Sequence, residues 1–497
     1  MEQLLTAFAA IFHPLPFLFC LAGVTVGIAV GAIPGLTGGM FIALCLPLTF
    51  FMESTNALIL LVSMYVGSTS GGLISATLLR MPGTTAALMT VLDGFPMAQG
   101  GRPGRALGFG IYASFIGGMI SWVFLAVLSP PLSELAVTFG SYEIFAMVLM
   151  ALVLISSVSQ GTLLKGLLSA AFGVIVALVG VDPSVGQLRL TFGVHQLEPG
   201  LRLLPVVLGM FVLSQVIADI VNIERTFEML QASRRSMFMR FSDMKHQTVN
   251  FIRSSLIGTW IGILPGVGST IASIVSYTMA RNLSKTPEKY GTGYEDGIVA
   301  AETANNAAVN GALVPLITLG IPGSVIDAIL LGAFLIHNIT PGPLLFQSNP
   351  DLVYGIIAAA LLANVLMFVV MLAATPYFAK LMVVPKAFLL PTIVVFCVIG
   401  AYATSNLIFD VWVMLAFGVI GYFMQRAGLS IGPFVIGYVL APIAEVNLRA
   451  GLMLYDGSIL PMVTRPYALT FLTIAILTLL WPFLRRRPTN TAGGNDP

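Results

Sequence analysis

Two pairs of Pro-Gly steps interrupt apolar stretches of this chain, and they occur in the same order in both halves. The first half contains Gly31–Gly35 (GAIPG) and then Arg80–Thr84 (RMPGT), and the second contains Gly262–Gly266 (GILPG) and then Gly320–Ser324 (GIPGS). A break of this kind leaves backbone amides and carbonyls without helical partners, which is tolerated at membrane depth only where they face protein or a water-filled cavity. Paired breaks at corresponding places are typical of a transporter's binding site. The pattern therefore predicts a duplicated membrane transporter with its site between two repeats.

The composition agrees with a membrane protein and excludes a large soluble domain. Apolar residues make up 57% of the chain and charged residues only 9%, against roughly a quarter in soluble proteins. Apolar runs of about 17–25 residues recur along the chain, which is long enough to cross a bilayer. We therefore expect an all-α polytopic membrane protein with about 10–13 membrane segments. The net charge of +2, with no basic and aromatic patch, gives no indication of nucleic-acid binding.

The distribution of Lys and Arg predicts that the two repeats have inverted topology. We assign residues 1–221 to the first repeat, 222–253 to a basic cytoplasmic connector, 254–484 to the second repeat and 485–497 to a short polar tail. No Lys or Arg precedes the first Pro-Gly break, whereas the corresponding segment 222–253 is rich in both. Around the later breaks the bias is reversed. By the positive-inside rule, corresponding loops therefore lie on opposite sides of the membrane.

The same charge pattern predicts a re-entrant helical hairpin at the first break of each repeat. Both flanks of residues 254–280 are basic, and a single crossing cannot place both ends on one side. A hairpin that turns at 264–268 can do so, and its equivalent at 33–38 would enter from the opposite side. The alternative is one long helix with a proline kink at each place.

The breaks have the chemistry needed to bind a carboxylate and a cation. A helix that begins after Pro-Gly presents free amides and a positive dipole end to an anion, and the carbonyls before it suit Na⁺. The predicted substrate-binding residues are Pro34, Gly35, Thr37, Gly38, Ser70, Pro82, Gly83, Thr84, Pro265, Gly266, Gly268, Ser269, Asn305, Asn306, Pro322, Gly323 and Ser324. The predicted coupling-ion residues are Thr69, Thr270, Glu302, Thr303 and Asn310. For each hydroxyl, helix capping or close packing is the alternative.

Four ionisable residues lie near apolar sequence. Glu302 is a cation ligand or proton carrier, or else a residue at an interfacial helix end. Asp327 is a functional candidate because intramembrane carboxylates are costly to keep. Asp93 lies in an Asp-Gly step, which favours a turn in a polar loop. His337 has either a proton role or a packing role.

These motifs resemble the large membrane subunit of the tripartite tricarboxylate transporter family, the TctA type. The resemblance covers nearly the whole chain. It rests on both pairs of Pro-Gly motifs and on the blocks Tyr65–Ser68, Asp93–Ala98, Gly104–Gly108 and Glu302–Asn306. Arg80 and Phe95 depart from the family pattern, but neither lies in a Pro-Gly step.

The resemblance implies secondary active uptake of tricarboxylates or related carboxylates across a bacterial inner membrane. The implied partners are a small membrane subunit (TctB type) and a periplasmic solute-binding protein (TctC type). It implies coupling to Na⁺ or H⁺ without a cofactor, and the absence of a Walker A motif agrees with this. An elevator-like movement is a further expectation. The alternatives are a stand-alone carboxylate carrier or channel, and a membrane enzyme. No His-Glu-x-x-His motif favours the enzyme, so we predict that the chain is not one.

Overall fold

In a computed structural model the chain folds into helices, described here for residues 2–158, 162–182, 185–221, 230, 234–382, 384, 386–403 and 405–484. The predicted tail 485–497, and 222–229 and 231–233 of the predicted connector, lie outside these residues. In chain order the helices are α1 (Glu2–Ile11), α2 (Pro14–Ala32), α3 (Gly38–Thr49), α4 (Ser54–Leu79), α5 (Leu88–Gln99), α6 (Pro103–Val137), α7 (Ser141–Val158), α8 (Leu163–Ala177), α9 (Leu203–Val207), α10 (Ser214–Val221), α11 (Phe241–His246), α12 (Thr248–Ile263), α13 (Gly268–Leu283), α14 (Glu295–Leu319), α15 (Val325–Ile336), α16 (Leu345–Ser348), α17 (Pro350–Leu381), α18 (Lys386–Ala403), α19 (Ile408–Arg426), α20 (Ile431–Leu454), α21 (Leu460–Thr464) and α22 (Pro466–Leu484).

The helices confirm an all-α polytopic membrane protein. Among the described residues, eight helical stretches are long and apolar enough to cross a membrane, and five shorter apolar helices accompany them. One of the eight is 203–221, where a π-helical turn joins α9 and α10. The strands in the described part of the chain are β1 (Gly180–Val181) and β2 (Leu188–Arg189), which pair as a small antiparallel hairpin.

All four Pro-Gly steps end a helix, in two distinct ways. At the first break of each repeat, the residue before proline is extended: Ile33 has ψ 117° and Leu264 has ψ 123°, because a following proline disfavours the helical conformation. At the later breaks, Arg80 (φ 58°) and Gly320 (φ 69°) end their helices in the left-handed conformation. Single prolines inside α3, α5 and α14 leave those helices continuous. Interruption therefore needs more than a proline alone.

Glycines bring helices of each half into backbone contact. Cβ atoms added to Gly23, Gly27 and Gly31 of α2 would lie 2.5, 2.5 and 2.2 Å, respectively, from carbonyl oxygens of α4. A Cβ atom added to Gly258 or Gly262 of α12 would lie 2.4 and 2.5 Å from carbonyl oxygens of α14. Successive contacts advance together along both helices, so α2 runs parallel to α4 and α12 runs parallel to α14. Small residues of this kind allow close helix packing in membranes.

The chain turns back on itself between α12 and α13. The Ser273 hydroxyl donates to the Ala301 carbonyl at 3.2 Å, and the Ser276 hydroxyl donates to the Ala300 carbonyl at 2.8 Å. α13 therefore runs antiparallel to α14, opposite to α12, and one kinked helix does not describe this segment. Each arm has 16 residues, or about 24 Å, shorter than the ~30 Å hydrocarbon core. The early start of α12, inside the predicted connector, is stabilised by Asn250, which donates to the Asp296 carbonyl at 3.0 Å.

α6 and α17 occupy corresponding places in the two halves and lie antiparallel. A Cβ atom added to Gly118 would meet the side chain of Asn364. Further along α6, Trp122 Nε1 donates to the Ile357 carbonyl at 2.7 Å. Later residues of α6 thus meet earlier residues of α17. This is the relation that inverted repeats require of corresponding helices.

The two halves also exchange helices. α20, from the second half, packs on α7 and α8 of the first, where the Ser169 hydroxyl donates to the Ser430 carbonyl at 2.5 Å. The 203–221 stretch, from the first half, packs on α18 and α19 of the second, where Gly209 lies against Met414. Neither half therefore completes its own packing.

Candidate functional site

The helix starts beyond the Pro-Gly breaks of one half meet those of the other. At what we call the first junction, the start of α3 (Thr37–Gly39) lies against the start of α15 (Ser324–Asp327). A Cβ atom added to Gly39 would lie 3.3 Å from Ile326. Tyr65 of α4 joins this junction, because its hydroxyl lies 3.0 Å from the Ser324 hydroxyl.

The second junction joins the start of α13 (Gly268–Thr270) to Thr84 and Thr85. The Thr85 and Thr270 hydroxyl oxygens lie 2.9 Å apart. Each later break also packs on the hairpin turn of its own half: a Cβ atom added to Gly83 would lie 2.0 Å from the Gly31 carbonyl oxygen, and the Gly266 amide donates to the Pro322 carbonyl at 3.3 Å. The four predicted breaks thus form one cluster.

The predicted substrate-binding residues divide into accessible and buried sets. The hydroxyl-bearing members of the set are exposed or partly exposed: Thr37, Thr84, Ser269 and Ser324. Thr270, which was predicted to bind the coupling ion, and Thr85, which lies outside both predicted sets, are accessible as well. Gly35, Pro82 and Gly266 are partly exposed. The buried set is Pro34, Gly38, Ser70, Gly83, Pro265, Gly268, Asn305, Asn306, Pro322 and Gly323. A ligand entering the cluster would meet the first set, while the buried set shapes the backbone beneath it.

The helix starts at the two junctions differ in their free donors. At the first junction Thr37 caps α3 by accepting from the Met40 amide at 3.1 Å, and Ser324 caps α15 by accepting from the Asp327 amide at 3.3 Å. At the second junction no side chain caps α13, and the buried Thr84 hydroxyl has no hydrogen-bond partner. The uncapped start of α13 therefore presents backbone amides of the kind that bind anions.

The predicted amide residues of α14 hold helices together. Asn306 accepts from the Ser70 hydroxyl at 2.6 Å, which joins α14 to α4. Asn310 donates to the Gly118 carbonyl at 2.8 Å, which joins α14 to α6. The oxygens of the side chains of Asn305, Asn310 and Thr303 are buried without a hydrogen-bond partner. Thr303 and Asn310 belong to the predicted coupling-ion set, and their oxygens have no protein partner. Asn305 belongs to the predicted substrate-binding set.

Glu302 is fully buried in the middle of α14, so its interpretation as a helix-end residue is wrong. Its carboxylate accepts from the Thr90 hydroxyl at 2.5 Å, from the Ser114 hydroxyl at 3.4 Å and from Asn305 at 3.4 Å. Thr90 and Ser114 come from α5 and α6, and the sequence does not reveal that these helices approach Glu302. In the described part of the chain, no group of three or more His, Cys, Asp or Glu residues is placed to hold a metal ion.

The interpretation of Asp93 as a residue of a polar loop is also wrong. Asp93 lies in α5 and is fully buried. It accepts from the Tyr277 hydroxyl at 2.8 Å and from the amides of Gly291, Gly293 and Tyr294 at 2.9, 3.0 and 2.9 Å. These donors satisfy the carboxylate, so burial is tolerated. Asp93 holds the segment between α13 and α14 in place.

The structure supports the packing alternative for Thr69 and leaves both interpretations of His337 open. The Thr69 hydroxyl donates to the Tyr65 carbonyl of its own helix at 2.9 Å, which agrees with the packing alternative. His337 follows the last residue of α15, and its Nε2 atom is buried without a hydrogen-bond partner.

Four residues that contact the site were not among the sequence candidates: Tyr65, Thr90, Ser114 and Tyr277. All lie in helices and carry hydroxyl groups that reach the other half of the molecule. For Tyr65 a signal exists, because Tyr65, Thr69 and Gly72 follow helical spacing on one face. For the others, the sequence contains only isolated polar residues in apolar helices.

Comparison with known proteins places the chain in a family. The model of the Tripartite tricarboxylate transporter TctA family matches residues 17–436. An uncharacterized 52.8 kDa protein from the TAR-I ttuC′ 3′ region of Agrobacterium vitis is 34% identical over 489 residues, which is 98% of this chain and 97% of that protein. An uncharacterized protein from the TAR-II ttuC′ 3′ region of the same organism is 37% identical over 227 residues, which is 46% of this chain and 94% of that protein. No solved structure matches the chain.

Proposed function

Because the chain belongs to the Tripartite tricarboxylate transporter TctA family, we propose that it is the large permease subunit of a secondary transporter that takes up tricarboxylates or related carboxylates. The proposed location is the bacterial inner membrane. The proposed partners are a small membrane subunit and a periplasmic solute-binding protein, and Na⁺ or H⁺ is the proposed coupling ion. This is the function that the cluster of broken helices supports best.

The observation that carries the proposal is the second junction. Thr85, Ser269 and Thr270 are accessible there, beside the start of α13, which no side chain caps. Neutral hydroxyls and free amides can bind a carboxylate and release it again, because they hold the anion less tightly than a buried fixed cation would. We propose that a substrate carboxylate binds at this junction.

The arrangement of the two halves supports alternating access. We propose that residues 1–221 and 254–484 are inverted-topology repeats, a division supported by the antiparallel α6 and α17 and by the matched order of breaks. The site lies where the halves meet, so a movement of one part against the other can expose it to either side. An elevator-like movement of the hairpins and their neighbours is the form that we propose.

The test of this proposal is uptake of labelled citrate and other carboxylates into proteoliposomes. The vesicles contain this chain and its small partner subunit, with or without the binding protein, under an imposed Na⁺ or pH gradient. The expected result is accumulation that requires the binding protein and one of the two gradients. Equilibration that ignores both would indicate a channel or a stand-alone carrier instead.

A paired variant tests the junction itself. T85V/T270V removes both hydroxyls while keeping side-chain volume, and we expect the substrate concentration for half-maximal uptake to rise at least about tenfold, the effect of losing about 1.4 kcal/mol. The control is T478V, which removes an exposed hydroxyl from α22 that donates to its own helix. If T85V/T270V transports like T478V and the wild type, the substrate does not bind at the second junction.

A further inference from the structure

The first junction contains a buried carboxyl group without a hydrogen bond. Asp327 lies in the first turn of α15 and is fully buried. Neither of its two carboxylate oxygens has a hydrogen-bond partner. A buried carboxylate in this state is costly unless it binds a proton or another cation. Asp327 therefore differs from Glu302, whose carboxylate accepts three hydrogen bonds.

The helices around Asp327 provide no fixed positive charge for it. α15 packs against α3, α4, α9, α14 and α20. The first four of these helices, like α15 itself, contain no Lys or Arg. Arg449 of α20 is paired with Asp182 and Glu445, at 2.8 Å each, and Arg202 before α9 is paired with Asp410 at 3.1 Å. The titratable side chains on these elements are Cys45, Tyr65, Glu295, Asp296, Glu302, Tyr438 and Glu445.

Helix capping does not explain the carboxyl group. Ser324-x-x-Asp327 has the sequence of a capping box, in which the two side chains would each bind the other residue's backbone amide. One half forms, because the Ser324 hydroxyl accepts from the Asp327 amide. The reciprocal hydrogen bond, from the Ser324 amide to the Asp327 carboxylate, is not made with normal length and angle. The oxygens thus remain available, next to hydroxyls of Ser324 and Tyr65 that lie 3.0 Å apart.

We propose that Asp327 is the binding site for a monovalent cation, a proton or Na⁺, at the first junction. Ser324 and Tyr65 supply neighbouring oxygens from two different helices, so an occupied site joins α4 to the break at 320–324. This inference rests on the proposed function, since it assigns the coupling ion and the substrate to different junctions. The first junction has capped helix starts and a free carboxyl group. The second has an uncapped helix start and accessible neutral hydroxyls.

The test separates coupling from translocation in the reconstituted complex. A tenfold gradient of one coupled ion stores about 1.4 kcal/mol and supports about tenfold accumulation. For D327N we expect gradient-driven accumulation to fall to equilibration, about onefold, while substrate counterflow without an ion gradient persists. D327E, which keeps the carboxyl group, should recover part of the accumulation. The control is D351N, in the exposed first turn of α17.

Varying the salt and the pH gradient identifies the cation. If Na⁺ binds, NaCl but not choline chloride should raise the melting temperature of the wild-type complex, and D327N should lose this difference. If a proton binds, accumulation should follow the pH gradient and the NaCl effect should be absent. Two results would overturn the proposal. In one, D327N accumulates substrate like the wild type; in the other, D327N remains folded in size-exclusion chromatography and loses counterflow as well as accumulation. A wild-type complex without uptake would instead refute the proposed function, while the melting measurement would still report on Na⁺ binding.

Discussion

Replacing Asp93 by asparagine should loosen one segment of the molecule and leave the helices intact. The Asp93 carboxylate holds the segment between α13 and α14 through three amides, those of Gly291, Gly293 and Tyr294. D93N keeps the size of the side chain and one acceptor oxygen, but it removes the charge. The substitution therefore tests whether this buried carboxylate fixes the segment that follows the hairpin.

The expected magnitude comes from these hydrogen bonds. A bond to a charged acceptor contributes about 1 kcal/mol more than a bond to a neutral one. Loss of this increment at three amides makes opening of the segment easier by about 3 kcal/mol, which corresponds to about 100-fold. D93A should have a larger effect, because it leaves all three amides buried without an acceptor.

Hydrogen exchange measures this effect directly, because the donating amides are themselves the reporters. Peptides that cover 287–294 should exchange about 100-fold faster in D93N than in the wild type, while α20 should be unchanged. D456N, in the exposed turn after α20, is the control. Unchanged protection at Gly291, Gly293 and Tyr294 in a folded D93N protein would refute the role assigned to this carboxylate.

Three further substitutions test packing and polar contacts. G31A places a Cβ atom 2.2 Å from a carbonyl oxygen of α4. In denaturant titration it should lower the free energy of unfolding by about 3 kcal/mol. The control is G355A, whose Cβ atom would make an ordinary 3.4 Å contact and should change this free energy by less than about 1 kcal/mol. T90V removes a hydrogen-bond donor from the buried Glu302 carboxylate of α14 and should lower the free energy of unfolding by about 1–3 kcal/mol. T90S keeps the hydroxyl and should restore this free energy. Equal stability of T90V and T90S would contradict the contact. R465Q removes the charged partner of the buried Glu143. It should lower the free energy of unfolding by about 2–3 kcal/mol, which is less than for a fully buried pair because Arg465 is partly exposed. In a double-mutant cycle, R465Q/E143Q should recover part of this loss. An additive double mutant would show that the two side chains do not interact.

Local features of the sequence predicted the helical class and the places where helices stop. Long apolar runs predict membrane helices because burial in lipid depends on the composition of each segment alone. The Pro-Gly steps predict breaks because proline removes an amide and restricts its predecessor. Both predictions depend on neighbouring residues, and both agree with the helix bounds of the structure.

Contacts between distant segments could not be predicted in this way. Asp93 looks like a turn residue because Asp-Gly is common in turns, and only the approach of residues 291–294 makes a buried position favourable. Glu302 has the same difficulty, since its donors come from α5 and α6. The distinction between capped and uncapped helix starts likewise depends on side-chain geometry, which the sequence motif around Ser324 does not determine.

The exchange of helices between the halves affects how the chain is made. α7 and α8 enter the membrane well before α20, which later covers them. At a synthesis rate of about 5–20 residues per second, this interval lasts on the order of tens of seconds. During that time lipid, an insertase or a chaperone must cover the surfaces of α7 and α8 that α20 later buries.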